Sequence, residues 1–127
     1  MGKWSNFIDV ELAESGTGPF AKCFGVYQIR AVTPAGKPLR IGRLLGVDSA
    51  GIIYIGRSNR ESISTRIKKN VNNLKGYAGV KSKLPKHSLQ ASTMLLLDGE
   101  TAATELKLLE KYRLKYGELP PFNRKFG

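Results

Sequence analysis

The stretch Gly51–Leu74, GIIYIGRSNRESISTRIKKNVNNL, decides the fold of this chain. It opens with the apolar run Ile52–Ile55, whose length and β-branched content predict a buried strand. Apolar residues then recur at the spacing of one helix face, at Ile63, Ile67, Val71 and Leu74. The pattern therefore predicts a buried strand that leads directly into an amphipathic helix.

A short turn joins this strand to this helix. Gly56 ends the apolar run, and Ser58 is followed three residues later by Glu61. That spacing is typical of a capping box, in which each side chain bonds the other residue's backbone N–H. It predicts that the helix begins near Asn59 or Arg60.

Working outward, the chain supplies two more strands and a second long helix. The alternation over Phe24–Val32 predicts a strand, and the apolar run in Ala91–Leu97 predicts another. Thr101–Tyr116 has helical periodicity, with Gly117 as the C-terminal stop. The order strand, strand, helix, strand, helix predicts a small α+β fold with helices packed on a sheet.

The segment Thr33–Ala50 between the first two strands is rich in Gly and Pro and carries Arg40 and Arg43. It is either an elaborated hairpin or a basic flap that touches nucleic acid. We favour the hairpin, because two arginines in a Gly/Pro-rich loop are weak support for binding.

Composition narrows the functional class. The chain has 127 residues, which suits one domain, and its net charge is +11. That excess favours a polyanionic partner, nucleic acid rather than membrane. No apolar run reaches the roughly 18 residues of a membrane span, and no secretory signal precedes the domain. Cys23 is the only cysteine, so the expected compartment is a reducing cytoplasm.

One segment is basic without interruption. Residues 62–97 contain no Asp or Glu. A run of one charge sign usually marks a solvated face, yet a merely soluble surface tends to mix signs over this length. We interpret it as a surface that follows a phosphate backbone, which gives affinity without sequence reading. Its candidate nucleic-acid-binding residues are Lys68, Lys69, Lys75, Lys81, Lys83 and Lys86.

The second helix carries a carboxylate in an unusual place. At about 100° per residue, Glu105 falls among apolar residues, whereas Glu110 lies roughly 140° away from it. The apolar side comprises Ala102, Leu106, Leu108, Leu109, Tyr112 and Tyr116. A carboxylate on such a face is costly unless it is paired or binds a metal. Glu105 is therefore either the partner of a buried arginine such as Arg66 or a metal ligand.

Two short motifs resemble a nuclease signature. Gly25–Tyr27 reads GVY and Tyr54–Gly56 reads YIG. In this order, on predicted strands, they resemble the GIY-YIG nucleases, a family that includes the incision subunit of bacterial nucleotide excision repair. The resemblance covers about residues 25–123. On composition alone Tyr27 is a core tyrosine, and the GVY context instead makes it a catalytic candidate.

Further positions extend the resemblance. Arg57 follows the YIG directly, and Arg66 matches the family's helix arginine. Glu105, followed by Leu108 and Leu109, matches the metal-binding glutamate, and Asn123 after Pro120-Pro121 matches the late asparagine. Glu110 competes by its spacing to Asn123. Two departures stand out: the long 33–50 link, and Asn70 where some members have a histidine.

The resemblance implies a mainly antiparallel sheet of three to four strands and hydrolysis of a DNA phosphodiester. Glu105 would hold Mg²⁺ or Mn²⁺, with water and phosphate oxygens completing the shell. Tyr27 would help deprotonate the attacking water, which requires nearby cations because a free tyrosine has a pKa of about 10. Arg57 and Arg66 would stabilise the transition state.

The remaining roles and limits also follow from the resemblance. Tyr54 would bond the phosphate or the other tyrosine, and Asn123 would orient the glutamate or nearby backbone. The products would be 5′-phosphate and 3′-hydroxyl ends, and the protein a monomer or weak homodimer of phage, mobile-element, restriction or repair origin. The alternatives are a catalytically inactive nucleic-acid-binding module and a basic structural or ribosome-associated protein.

Overall fold

The computed structural model describes residues 2–58, 60–74, 88–97 and 99–123. They form an α+β fold, as the element order predicts. In chain order the elements are β1 (Ile8–Asp9), α1 (Val10–Ala13), β2 (Gly25–Ala31), β3 (Ile41–Arg43), β4 (Gly46–Asp48), β5 (Ile52–Arg57), α2 (Ile63–Leu74), β6 (Leu89–Leu95) and α3 (Thr101–Tyr116).

The main sheet has four strands in the order β1-β6-β2-β5, and every neighbouring pair is antiparallel. The antiparallel prediction is therefore confirmed. β2 lies inside the sheet, where Tyr27 is opposite Gly56 of β5 on one side and Thr93 of β6 on the other. The two signature motifs are thus neighbours, because GVY and YIG occupy adjacent strands.

Two apolar clusters hold helices to the sheet. α2 contributes Ile63, Ile67 and Val71 to the larger cluster, which also includes Tyr27 and Ile29 of β2. The second cluster joins β5 to α3 and comprises Ile52, Ile55, Leu109 and Tyr112. Because side chains alternate along a strand, Tyr27 points toward α2 while Arg57, opposite Val26, points toward α3.

A bulge in β5 adjusts this alternation. The register between β2 and β5 shifts after the Ile29–Tyr54 pair, so that Arg30 is opposite Ile52 and Ile53 is the extra residue. Ile53 and Tyr54 both pack on the larger cluster, while Ile52 and Ile55 belong to the cluster under α3. The extra residue therefore puts two consecutive side chains, Ile53 and Tyr54, on the larger cluster.

Two predicted boundaries are wrong. α2 begins at Ile63, not near residue 59 or 60, because Ser62 caps it: the Thr65 N–H donates to Ser62 Oγ at 3.4 Å. Ser58 instead accepts a hydrogen bond from the Gly25 N–H at 2.9 Å, which joins the two motifs. The third predicted strand spans Leu89–Leu95 rather than Ala91–Leu97. The α3 bounds are confirmed, with Gly117 left-handed at φ +80°.

Residues 33–50 contain a hairpin, as predicted, and nucleic-acid contact by this segment stays a prediction. β3 and β4 pair as a separate two-stranded sheet. Side chains attach it to α3 and the residues that follow: Arg43 is 2.7 Å from Glu118, and the Tyr112 hydroxyl donates to Asp48 Oδ2 at 2.8 Å. Asp48 is buried and also accepts the Ala50 and Ile52 N–H groups, so this hairpin braces the start of β5.

Within the described part of the chain, no helix has the length and apolar character needed to cross a bilayer.

We expect Gly25→Ala to destabilise the fold. Gly25 has φ +151°, and a Cβ there would lie 2.1 Å from the Met94 carbonyl oxygen on β6, so backbone would have to move. The free energy of unfolding, measured in urea, should fall by about 1–3 kcal/mol. Gly16→Ala is the matched control, because a Cβ at Gly16 meets nothing within 4 Å. Equal stability of the two variants would contradict this account of the GVY glycine.

Candidate active site

A cleft lies where β5 ends and α2 begins. Its volume is about 280 Å³, and it is lined by Arg57, Arg60, Glu61 and Arg66. Arg57 is the last residue of β5, whereas Arg66 belongs to the first turn of α2. Three guanidinium groups around one small cleft create a positive site that suits a phosphate, which planar guanidinium groups recognise well.

Tyr27 and Tyr54 lie on the face of the sheet that α2 covers, and neither lines the cleft. Their ring centroids are 6.1 Å apart at an angle of 31°. Gly56 makes this packing possible, because a Cβ there would lie 2.6 Å from Tyr27 Cζ and Oη and 2.7 Å from Tyr54 Cε1. The glycine of the YIG motif is therefore required by the two tyrosines.

The Tyr27 hydroxyl is enclosed. The residue is fully buried, and Asn70 of α2 donates a hydrogen bond from Nδ2 to the phenol oxygen. Burial raises the pKa of Tyr27 well above its ordinary value, and Tyr54 and Glu105 raise it further. Arg66 and Asn70 lower it, but by less than burial raises it. The cationic influence expected from the sequence is present, yet Tyr27 is a neutral phenol in the free protein.

Glu105 is buried on α3, with 6% of its surface exposed. Its Oε1 is 3.6 Å from Arg57 Nε, too far for a hydrogen bond, and has no hydrogen-bond partner among the described residues. Burial raises the pKa of Glu105, while Arg57 and then Arg66 lower it. If Glu105 has a structural role, its cationic partner is therefore Arg57. The expectation that Arg66 is this partner is wrong.

The buried face of α3 is narrower than its sequence indicates. Leu109 and Tyr112 are buried beside Glu105, but Ala102 is exposed and Leu106 is 49% exposed. Both were expected on the apolar side. The sheet contacts only one stripe of the helix, and Leu106 lies about 100° around the helix from Glu105. The carboxylate is thus inside the packed stripe, although two of its predicted apolar neighbours are not.

Glu110 has a simpler environment. Its side chain is 45% exposed, and Arg113 Nη2 lies 2.6 Å from its Oε1. An exposed carboxylate with an ion-pair partner one turn away on the same helix is ordinary. The environments of the two glutamates therefore favour Glu105 over Glu110 as the functional carboxylate.

The Asn123 side chain hydrogen-bonds the backbone of β5. The Ile55 N–H donates to Asn123 Oδ1 at 3.0 Å, and Asn123 Nδ2 donates to the Ile55 carbonyl at 2.9 Å. The Phe122 N–H also donates to the Ile53 carbonyl at 2.9 Å. Asn123 thus acts as a ladder partner along the outer edge of β5. Of its two predicted roles, the structure favours the orientation of backbone.

Of the six predicted nucleic-acid-binding lysines, the two that the structure describes, Lys68 and Lys69, lie on α2. Lys69 Nζ is 2.5 Å from Glu61 Oε1 in an exposed pair, and Lys68 is exposed. The other predicted nucleic-acid-binding lysines lie outside the described residues: Lys75, Lys81, Lys83 and Lys86. A pair that exposed contributes little stability, so the ammonium group of Lys69 is free to exchange Glu61 for a phosphate at low cost.

The residues fit a divalent cation held by one carboxylate. In the described ranges no three His, Cys, Asp or Glu residues form a metal-binding group. Mg²⁺, however, is commonly held by one or two carboxylates, with water and substrate phosphates as its other ligands. Glu105 Oε1, buried without a hydrogen-bond partner in the described structure, is a suitable donor atom.

The structure adds two residues that motif reasoning did not place in the site, and it gives a third, Asn70, a partner that the motifs did not indicate. Arg60 and Glu61 line the cleft, and Asn70 contacts Tyr27. Asn70 was recoverable from spacing, since it follows Arg66 by four residues and so shares its helix face. No sequence signal places Arg60 in the cleft, because its position depends on the later helix start.

Comparisons of this chain with protein-family models, with curated proteins and with solved structures found no match.

We expect Glu105→Gln to stabilise the protein at neutral pH. The pKa of Glu105 is raised in the folded state, so its ionised form opposes folding above that pKa. The variant should gain on the order of 1 kcal/mol in free energy of unfolding at pH 7. The gain should vanish as the pH falls through the raised pKa, because wild-type Glu105 then becomes neutral too.

The matched control is Glu110→Gln, whose carboxylate is half exposed. Its free energy of unfolding should change by less than about 0.5 kcal/mol. Urea unfolding between pH 4 and pH 8 gives the comparison. A Glu105→Gln protein less stable than wild type at pH 7 would mean that attraction to Arg57 outweighs the cost of burial.

Proposed function

We propose that this protein is a divalent-cation-dependent endonuclease of the GIY-YIG type that hydrolyses DNA phosphodiesters. One observation carries the proposal: Glu105 is a buried carboxylate whose Oε1 lacks a described hydrogen-bond partner, beside a cleft lined by arginines. A structural carboxylate would be expected to have its lone pairs satisfied. A carboxylate that binds a cation needs an oxygen left available.

The charge of the surroundings supports a phosphodiester as substrate. Arg57, Arg60 and Arg66 line the cleft, and the chain as a whole carries a net charge of +11. Such a charge excess draws a polyanion to the surface through its backbone. The arginines then offer directional donors to the phosphate oxygens at one point along that backbone.

Each residue has a distinct part in the proposed reaction. A water oxygen attacks phosphorus, the bond to the 3′-oxygen breaks, and the products carry a 5′-phosphate and a 3′-hydroxyl. Arg57 and Arg66 stabilise the negative charge that grows on the phosphoryl oxygens. A cation on Glu105 would act as a Lewis acid and lower the pKa of bound water.

In the proposed reaction, the two tyrosines act on the attacking water and on the proton that it loses. Tyr27 has its phenol oxygen next to the cleft residue Arg66, whose charge acts on it. Burial keeps this phenol neutral in the free protein, and a neutral phenol cannot act as a base. Further positive charge in the cleft would favour loss of the phenol proton to solvent, and the phenolate could then take a proton from the attacking water. Tyr54 packs on Tyr27 and limits how far that ring can move.

A second candidate function is a catalytically inactive nucleic-acid-binding module. The 3.6 Å approach of Arg57 to Glu105 favours it, because the arginine already offsets part of the buried charge. In that case the cleft would bind phosphate without a metal. The two functions differ in whether the loss of the Glu105 carboxylate abolishes an activity.

We expect Mg²⁺-dependent cleavage of supercoiled plasmid by the wild type, and a loss of at least about a hundredfold in Glu105→Gln. Glu110→Gln should cleave at close to the wild-type rate, because Glu110 lies outside the cleft and pairs with Arg113. Nicked circles should precede linear DNA, since one site cuts one strand. DNA binding without Mg²⁺, measured by fluorescence anisotropy, should be similar in all three proteins.

Two results would change the assignment. If Glu105→Gln cleaved as well as wild type while Glu110→Gln did not, Glu110 would be the functional carboxylate. If none of the proteins cleaved plasmid, single-stranded or branched DNA in Mg²⁺ or Mn²⁺, yet all bound it, the binding-module function would replace the nuclease.

A further inference from the structure

We propose that Asn70 is a positioning residue for Tyr27: its side-chain amide donates from Nδ2 to the phenol oxygen and holds that oxygen against α2, the helix that also carries the cleft residue Arg66. The part of this inference that concerns catalysis rests on the proposed function. The contact itself is a property of the folded protein, so the two can be tested separately.

The position of Asn70 follows from the packing of α2. Ile63, Ile67 and Val71 are buried against the sheet and fix the rotation of the helix about its axis. Arg66 and Asn70, four residues apart, then lie one above the other at the border of this buried face. This border faces the end of the Tyr27 side chain, and α2 therefore offers two polar groups to one phenol.

Tyr27 has little other freedom. Its backbone is paired on both sides in the middle of the sheet, and its ring lies on Gly56. The charged or titratable groups that act on its hydroxyl are Tyr54, Arg66 and Glu105. The remaining variable is the direction of the O–H bond, and a donor from Asn70 settles it by occupying one lone pair of the phenol oxygen.

The chemistry of an amide makes this role specific. An Asn side chain neither gains nor loses a proton near neutral pH, so it can hold Tyr27 but cannot pass a proton onward. Because Asn70 is the donor, the phenol hydrogen is directed away from it and can bond a second acceptor. A donor at this position also favours the phenolate when one forms, since it bonds the charged oxygen more strongly.

The first test needs no substrate. Protein labelled with ¹³C at tyrosine Cζ gives a resonance for Tyr27, which Tyr27→Phe assigns by its disappearance. Asn70→Leu, which removes the donor at similar size, should move this resonance. Asn6→Leu, which removes an exposed amide far along the chain, should not. If the resonance in Asn70→Leu stayed at its wild-type position, the contact would be refuted.

Two further substitutions at position 70 distinguish the loss of the hydrogen-bond donor from a general effect on folding. Asn70→Asp has the same shape but replaces the donor by an acceptor, so it should also move the resonance while it keeps the polar character of the site. Asn70→His retains an N–H donor and should bring the resonance back toward its wild-type position. Rescue by histidine and failure of rescue by aspartate is the pattern that hydrogen-bond donation requires.

The second test uses plasmid cleavage. Loss of one positioning hydrogen bond should lower kcat of Asn70→Leu by about tenfold, with little change in KM. In a Tyr27→Phe background the same substitution should have no further effect, because the oxygen it acts on is gone. Equal losses in both backgrounds would show that Asn70 acts independently of Tyr27 and would overturn the inference.

The two proposals fail in different ways. If the wild-type protein cleaves no DNA, the proposed function is wrong, but the Tyr27 resonance still reports whether Asn70 donates to it. If cleavage occurs and the resonance is unmoved in Asn70→Leu, the nuclease stands and the positioning role of Asn70 is wrong.

Discussion

The contact of the Tyr27 ring with Gly56 across β2 and β5 is the constraint on which the site depends. A side chain at position 56 would overlap the phenol, and it would also overlap the ring of Tyr54. With glycine there, two aromatic rings occupy the space above one peptide unit, directly before Arg57. Packing at the level of a single methyl group thus decides whether the two rings can pack here.

The electrostatics of the site are set by the competition between burial and arginine charge. Burial is the largest influence on both Tyr27 and Glu105, and it favours the neutral form of each. Arg66 opposes it at both groups, and Arg57 also opposes it at Glu105. Burial outweighs the arginines at both groups, and an added positive charge would shift both toward their ionised forms.

The sequence predicted the elements whose signal is local. Apolar runs located β5 and β6, and helical periodicity with Gly117 located α3 to the residue. It failed where a side chain had a choice of partner. Ser58 and Ser62 both suit a helix cap, and only the fold shows that Ser58 bonds Gly25 of the neighbouring strand. Caps read from spacing cannot anticipate a partner 33 residues away.

The features of the candidate site likewise divide into those that the sequence predicted and those that it did not. Motif order predicted that Arg57 and Arg66 lie close together, and both line the cleft. A strand that leads directly into a helix leaves few other arrangements. The sequence predicted that Glu105 is buried, but it did not predict that its charged neighbour is Arg57. That neighbour depends on the distance from α3 to β5, which is set by packing. The spacing placed Asn70 on the same helix face as Arg66, but it did not show that Asn70 bonds Tyr27. Which face of the sheet carries the Tyr27 side chain depends on strand register.

The site also needs the edge of a sheet. Arg66 comes to the cleft from α2, which covers one face of the sheet, whereas Arg57 and its neighbour Glu105 lie on the face covered by α3. Groups on opposite faces of a sheet are separated by its backbone except where an outer strand ends, and β5 is an outer strand whose last residue is Arg57. Residues 122 and 123 bond the β5 backbone at Ile53 and Ile55, just before this point. A phosphate in the cleft would therefore meet groups from both faces at once, which a site in the middle of the sheet could not offer.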